Sequence, residues 1–217
     1  MTVHHLGKEN SILNQFISEL RDRELQKDAM RFRKNIERIG EILSYELSKT
    51  LEYQIETVTT PFGTKDISLP QNKLVLCSVL RAGLPLHQGL LNYFDGAENA
   101  FISAYRHHRD QGDAFEVIVN YLAAPSIEGK TLILTDPMLA TGKTLENVYE
   151  ALKKYGFPKK IHIISVIGSK QGIDYINTIF PEDTQLWIAA VDDKLSAKGY
   201  ILPGLGDAGD LSFGIKL

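Results

Sequence analysis

The stretch Ile133-Leu134-Thr135-Asp136-Pro137-Met138-Leu139-Ala140-Thr141-Gly142-Lys143-Thr144 has the layout of an anion site. An apolar run ends in an acid, a short loop of small and hydroxyl residues follows, and a helical pattern begins. Free backbone N–H groups at a helix start hold phosphate, and the helix dipole adds to this. Thr141 and Thr144 supply hydroxyl donors, and Gly142 lets the backbone come close to a ligand. The carboxyl end of a strand is also where open α/β sheets bind ligands. Gly142-Lys143-Thr144 matches the end of a P-loop, but the first glycine of that motif would fall at Pro137. Proline gives neither the N–H nor the conformation required, which argues against a P-loop nucleoside kinase. Taken alone, Thr-Gly-Lys-Thr is equally an ordinary N-capped turn between strand and helix.

A second region points to a ligand of another kind. Gly199-Tyr200-Ile201-Leu202-Pro203-Gly204-Leu205-Gly206-Asp207-Ala208-Gly209-Asp210 holds four glycines among a dozen residues. That many cost chain entropy and add no side-chain packing, so something is expected to approach the backbone. A small planar base with alternating donors and acceptors suits main-chain N–H and C=O groups. The apolar Ile201, Leu202, Leu205 and Phe213 argue against a loose tail. Two arginines follow apolar runs, in Leu80-Arg81-Ala82-Gly83-Leu84-Pro85 and in Tyr105-Arg106-His107-His108-Arg109. An arginine at a strand end grips a polyphosphate well, although a turn-capping or solvated arginine is the plainer alternative at each. Adjacent histidines seldom share one metal ion without further ligands, so no metal site is assigned to His107 and His108.

The elements needed to position these residues read as an α/β chain. Ile12, Leu13, Phe16, Ile17 and Leu20 recur at helical spacing behind Asn10 or Ser11 as cap, and Phe32, Ile36, Ile39, Leu43 and Leu47 mark a second helix. The charges of that second helix, from Arg31 to Glu46, read as a solvated face. Residues 53–69, with Pro61-Phe62-Gly63, read as two short strands and a turn. Strands then fit 73–80, 100–105, 130–135, 161–167 and 185–191, alternating with helices at 83–94, 142–155 and 170–180. Continuous apolar strands such as Thr131-Leu132-Ile133-Leu134 suit a mostly parallel sheet flanked by helices on both faces. Residues 115–122 form one arm of a hairpin with its tip at 109–113, and the stretch from Ser196 onward reads as loop.

The chain has 217 residues, 43% hydrophobic and 24% charged, which suits a single domain over 1–217. A core of that size needs no disulfide or metal to be stable. Net charge is −3, so no basic surface marks a nucleic-acid partner. The one cysteine, Cys77, lies inside an apolar run and reads as a buried strand residue; a lone cysteine fits a reducing compartment. No apolar run approaches the ~20 residues of a membrane helix and no signal core opens the chain, so a cytoplasmic location is expected.

Asp136-Pro137-Met138-Leu139-Ala140-Thr141-Gly142 resembles the phosphoribosyl pyrophosphate (PRPP) loop of uracil phosphoribosyltransferases almost letter for letter, and Pro203-Gly204-Leu205-Gly206-Asp207-Ala208-Gly209-Asp210 resembles their uracil-binding segment. Leu80-Arg81-Ala82-Gly83, Arg106 after Ile102-Ser103-Ala104-Tyr105, Arg31-Phe32-Arg33 and Leu43-Ser44-Tyr45-Glu46 extend the likeness over nearly the whole chain. One departure stands out. The family usually continues the loop with glycine and serine, whereas this chain has Lys143 and Thr144, as purine members of the wider superfamily do.

The resemblance implies a type I phosphoribosyltransferase-like α/β fold, with residues 1–52 as an N-terminal helical arm, a β-hairpin lid, and 196–217 as the base-binding segment. It implies conversion of uracil and PRPP to UMP and diphosphate, in pyrimidine salvage. PRPP would be held by Arg81, Arg106, Asp136, Pro137, Met138, Leu139, Ala140, Thr141, Gly142, Lys143, Thr144 and Asp207. Uracil would meet Ile201, Gly206, Asp207 and Ala208, largely through backbone. Asp207 and Arg106 would take part in catalysis, with Mg2+ arriving on the PRPP. The family's habits add a homodimer or larger homo-oligomer and a GTP effector. Competing assignments are a nucleotide-sensing, RNA-binding regulator of the same fold and a purine-base phosphoribosyltransferase.

Overall fold

The computed structural model describes residues 1–71, 73–108 and 115–216, with backbone alone for 104–108 and 115–120. Strand β1 (Thr2–His5) opens the chain and leads to helices α1 (Ile12–Arg21) and α2 (Ala29–Ser48). Ser11 caps α1, its Oγ accepting from Leu13 N, and Asp28 caps α2 through Arg31 N. The apolar stripe of α2 is fully buried, from Phe32 through Leu43 to Leu47.

Strands β2 (Tyr53–Thr60) and β3 (Gly63–Pro70) form a separate two-stranded antiparallel ribbon. Almost every residue of the ribbon is exposed, including Ile55 and, at its turn, Phe62. Then come β4 (Leu74–Leu80), α3 (Gly83–Leu91), β5 (Glu98–His108), β6 (Phe115–Ala123), β7 (Thr131–Thr135), β8 (Met138–Leu139), α4 (Lys143–Leu152), β9 (Lys160–Ser169), α5 (Lys170–Ile179) and β10 (Gln185–Asp192). Two short strands, β11 (Lys194–Leu195) and β12 (Ile201–Leu202), and a closing helix, α6 (Ala208–Phe213), complete the order.

The main sheet runs β1-β10-β9-β7-β4-β5-β6, with β8 added beside β9. Every pairing is parallel except β5 with β6. Two apolar clusters cover its faces. One joins α1, α2 and α3 to the sheet through Leu13, Ile36, Leu43, Leu86, Ile133 and Trp187. The other joins α4 and α5 through Leu145, Val148, Ile176, Leu134 and Ile163. Both faces of β7 and β9 are thereby dry, which accounts for their unbroken apolar sequences.

Several expectations need correction. Residues 2–5, given no structure from sequence, form the edge strand β1, with Thr2 opposite Gln185 and His5 opposite Ile188. The stretch after Ser196 is not all loop: β12 pairs with β11, and α6 is a true helix. The charges of α2 are not a purely solvated face. Arg31 bonds both carboxylate oxygens of the buried Glu19 at 2.9 Å, and Arg33 Nη1 donates to Ser212 O at 2.6 Å. Cys77 is buried as expected, and burial pushes its thiol up to about 12, so it stays protonated and inert.

Candidate active site

Strands β4 and β7 are neighbours, with Ser78 opposite Thr135. Arg81 and Asp136 therefore leave the sheet at the same, carboxyl-terminal end. The Leu80–Arg81 peptide is cis. Residues 136–144 curl around a shallow, open hollow lined by Asp136, Met138, Leu139, Ala140, Thr141, Gly142, Thr144 and Leu145.

Local contacts fix this loop. Asp136 Oδ1 accepts from Met138 N at 3.1 Å, Ser165 Oγ donates to Asp136 O at 2.6 Å, and Ser169 Oγ donates to Ala140 O at 2.6 Å. Gly142 is the N-cap of α4 at φ 81°. A Cβ there would come within 2.8 Å of both Ile176 and Tyr175, so the left-handed turn and the tight packing both demand glycine. Gly142 has no side chain to cap α4, and Lys143 N instead reaches Thr141 Oγ1 at 3.4 Å.

Lys143 turns away from the loop. Its ammonium bonds the Tyr175 hydroxyl and lies 3.0 Å from Glu146 Oε2, and Tyr175 also donates to Glu146 at 2.8 Å. The Tyr175 and Glu146 bonds raise the Lys143 pKa above its ordinary value. The residue that departs from the family pattern thus ties α4 to α5.

The glycine-rich segment reaches the same end of the molecule. Arg81 Nη2 donates to Asp210 Oδ1 at 2.9 Å, and its Nη1 reaches Gly214 O at 3.3 Å. Asp207 caps α6, its Oδ1 accepting from Gly209 N at 2.9 Å and Asp210 N at 3.0 Å. Burial works to raise the Asp207 pKa. The N–H groups of Asp210 and Gly209 and the nearby Lys216 outweigh it and hold the carboxyl below its usual range. Ile201 and Ala208 are buried, while Gly206, at φ 88°, is exposed.

Arg81, the loop 136–144 and the segment 201–210 are therefore brought to one end of the sheet. The Arg106 side chain lies outside the described residues, as do the side chains of His107 and His108 and all of Arg109 and the hairpin tip at 109–113. The Arg106 backbone sits in β5 opposite Val117. A larger hollow opens at the opposite end of the sheet among Glu52, Lys159, Lys160 and Asp183. Opposite charges pair there, Glu52 with Lys159, and none of the residues singled out for chemistry lines it.

Residues 8–215 match the family model for uracil phosphoribosyltransferase. The chain belongs to that family. A uracil phosphoribosyltransferase of Porphyromonas gingivalis is 54% identical over 217 residues, all of both chains. One from Thermococcus gammatolerans is 38% identical, over 97% of this chain and 92% of its own. Among solved structures, the AQ2163 protein of Aquifex aeolicus superposes over the full length of both chains with a TM-score of 0.87 at 28% identity. Membership makes the protein a pentosyl-transferring enzyme of type I phosphoribosyltransferase fold.

Sequence reasoning in this phosphoribosyltransferase missed Asp210, the partner of Arg81, although it lies inside a quoted motif. It also missed Arg21 and Asp192, which hold the glycine-rich segment from outside it. Nothing in the local sequence around residue 21 or 192 signals that role.

Proposed function

We propose that the chain makes UMP by moving the ribose 5-phosphate unit of PRPP onto N1 of uracil, at the carboxyl end of β4 and β7. The observation that carries this is the convergence of Arg81, the 136–144 loop and the 201–210 segment, joined by the Arg81–Asp210 bond. The 5-phosphate rests on the backbone N–H groups of 140–144, with the Thr141 and Thr144 hydroxyls beside it. Asp136 faces the ribose hydroxyls. Arg81 keeps its bond to Asp210 and offers its remaining N–H groups to pyrophosphate oxygens, and Arg106 holds the same group from β5. Mg2+ bound to the donor would supply further neutralisation of charge on the diphosphate, beside that from Arg81 and Arg106. Uracil lies along the backbone of 201–208, where Gly206 is open to it and Ile201 and Ala208 form a firm floor.

Bond breaking runs ahead of bond making and leaves an oxocarbenium-like ribose. The arginines neutralise charge growing on the leaving diphosphate, and alignment of the two substrates supplies much of the remaining rate. Asp207 takes the N1 proton as the new bond forms. Its lowered pKa keeps it ionised at neutral pH, which suits an acceptor acting late, on an already acidified proton. The hairpin β5–β6 closes over the site as a lid.

The reading extends to assembly and setting. The projecting ribbon β2–β3 leaves Ile55, Ile67 and Phe62 exposed, which favours a homodimer or larger homo-oligomer. No described helix is long and apolar enough to cross a membrane, and action in the cytoplasm on soluble substrates is in keeping with that. GTP is carried as a candidate effector because some bacterial members of the family respond to it.

The test is conversion of labelled uracil to UMP by purified protein with PRPP and magnesium. Hypoxanthine, guanine and orotate run in parallel, each with and without GTP. Uracil-only turnover is expected, rising with GTP. Turnover of a purine would transfer the assignment, and silence with every base would favour the nucleotide-sensing regulator, to be checked by RNA binding in moderate salt.

A further inference from the structure

A flat base read by main-chain groups needs a main chain that does not move. The stretch 194–213 holds only short elements of its own. Its strands β11 and β12 pair over two residues each, α6 has six residues, and Gly199, Gly204 and Gly206 all sit at positive φ. The anchoring comes from elsewhere. Arg21, the last residue of α1, makes a two-pronged bond to Asp192, the last residue of β10, at 2.8 and 2.7 Å. The same pair takes both backbone groups of Gly204. Gly204 N donates to Asp192 Oδ2 at 2.9 Å, and Gly204 O accepts from Arg21 Nη1 at 3.1 Å.

Gly204 is buried and its N–H and C=O are both committed, so it is fixed in place and does not itself read the base. It lies between Ile201 and Gly206 in the chain. A Cβ at Gly204 would come within 2.2 Å of Ile201 O, so the turn is packed as tightly as backbone allows. Asp192 is only 9% exposed, and although burial works to raise its pKa, Arg21 and Gly204 N–H hold it ionised. Gln26 adds a weaker hold, its Nε2 reaching Leu205 O at 3.4 Å.

We propose that Arg21 and Asp192 are positioning residues for base recognition: they clamp Gly204 and so set where Ile201 and Gly206 stand relative to the ribosyl donor. The pair touches neither substrate. The proposal rests on uracil lying along 201–208, as described above. Because a displacement of about 1 Å in a reacting group can cost on the order of 100-fold, loosening the clamp should act on the base and leave the donor alone.

The experiment compares Arg21→Lys, Arg21→Ala and Asp192→Asn. Arg21→Lys keeps the charge but loses the two-pronged geometry. Asp192→Asn keeps an oxygen for Gly204 N–H but breaks the ion pair. The KM for uracil should rise about 10- to 100-fold in Arg21→Ala and less in the two milder variants. Donor affinity, measured by calorimetry with PRPP and magnesium, should stay within about twofold. Discrimination between uracil and thymine should shrink as the segment loosens. A loss shared equally by uracil and PRPP overturns the proposal, as does a fall in thermal stability with the uracil KM unchanged. If Arg21→Ala does not fold, the two milder variants decide by the same criteria. Gly206→Val separates this proposal from its premise. Should Gly206→Val leave the uracil KM unchanged, the base does not lie on this segment. Should it raise the KM while the Arg21 and Asp192 variants do not, only the clamp fails.

Discussion

The loop 136–144, proposed to hold the donor, and the segment 201–213, proposed to read the base, are both short, glycine-containing stretches, yet they are held in opposite ways. Residues 136–144 are braced by what surrounds them in sequence and by one adjacent strand and helix: β8 lies along β9, Ser165 and Ser169 hold the loop carbonyls, and Tyr175 packs on Gly142. Residues 201–213 are held from far along the chain. Arg21, Gln26 and Arg33 reach them across sequence separations of 183, 179 and 179 residues, and Arg81 reaches Asp210 across 129. A phosphate is a generic anion that any helix start with free N–H groups can hold. A particular base is told from its neighbours by donors and acceptors set to a fraction of an ångström, and on the proposed reading distant elements would set them.

The sharpest way to break this contrast is Arg81, which bonds Asp210 in the second region and is proposed to hold the donor of the first. Arg81→Ala should lower kcat/KM for PRPP by about 100- to 1000-fold, the size expected for a group that neutralises transition-state charge. Because it also frees Asp210, it should weaken uracil as well. Steady-state kinetics with each substrate varied would show this, and a donor-only effect would mean the Arg81–Asp210 bond does not couple the two. Asp207→Asn is the next largest. Asparagine caps a helix as well as aspartate does, so α6 and the uracil KM should survive while kcat falls about 10- to 100-fold. An unchanged kcat removes Asp207 as proton acceptor.

His162 lies near the amino end of β9, opposite Gln185 and Ile133, away from both regions, and should not distinguish them. Burial, with repulsion from Lys160 and His4, pushes its pKa down to about 3, and its Nδ1 accepts from Trp187 Nε1 at 3.1 Å. It stays neutral in the folded protein, whereas the unfolded chain takes up a proton below about 6.5. Stability from this group is therefore intact above pH 6.5 and falls as pH drops toward 3, by up to about 1.4 kcal/mol per pH unit. Denaturant titrations at several pH values should show that slope flattened in His162→Gln. The smallest effect belongs to Lys143. With its ammonium engaged by Glu146 and Tyr175, Lys143→Gly should change the PRPP KM by less than about threefold and cost about 1 kcal/mol of stability, as glycine does in a helix. A tenfold rise in KM would show that the lysine does turn to the phosphate when donor is present.

The same contrast explains what could be foreseen. The parallel sheet, its helices and the donor loop were legible because apolar strand runs, caps and loop chemistry are contiguous. The Asp136-to-Gly142 and Pro203-to-Asp210 strings named the family before any fold was seen. The ends of the chain were harder. Strand β1 has four residues with two adjacent histidines, and its extended form comes from pairing with β10, which no local pattern reports. Helix α6 lies among glycines that mask its short turn, and only Asp207 as cap hints at it. Arg31 and Arg33 read as surface charge because their partners, Glu19 and Ser212, are 12 and 179 residues away. Roles that depend on such meetings leave no trace in spacing.

The pairing of β1 with β10 and the clamp of Arg21 on Asp192 also set an order of events during synthesis. A nascent chain that has emerged from the ribosome only as far as Phe180 already holds β4, β7, β8, α4, β9 and α5, and with them every local brace of the donor loop. Strand β1 and helix α1 at that moment have no β10 to lie against, and Arg21 has no carboxylate. Long-range pairings of this kind close slowly, so residues 2–21 wait for residues 185–204 before the proposed base-reading segment is clamped.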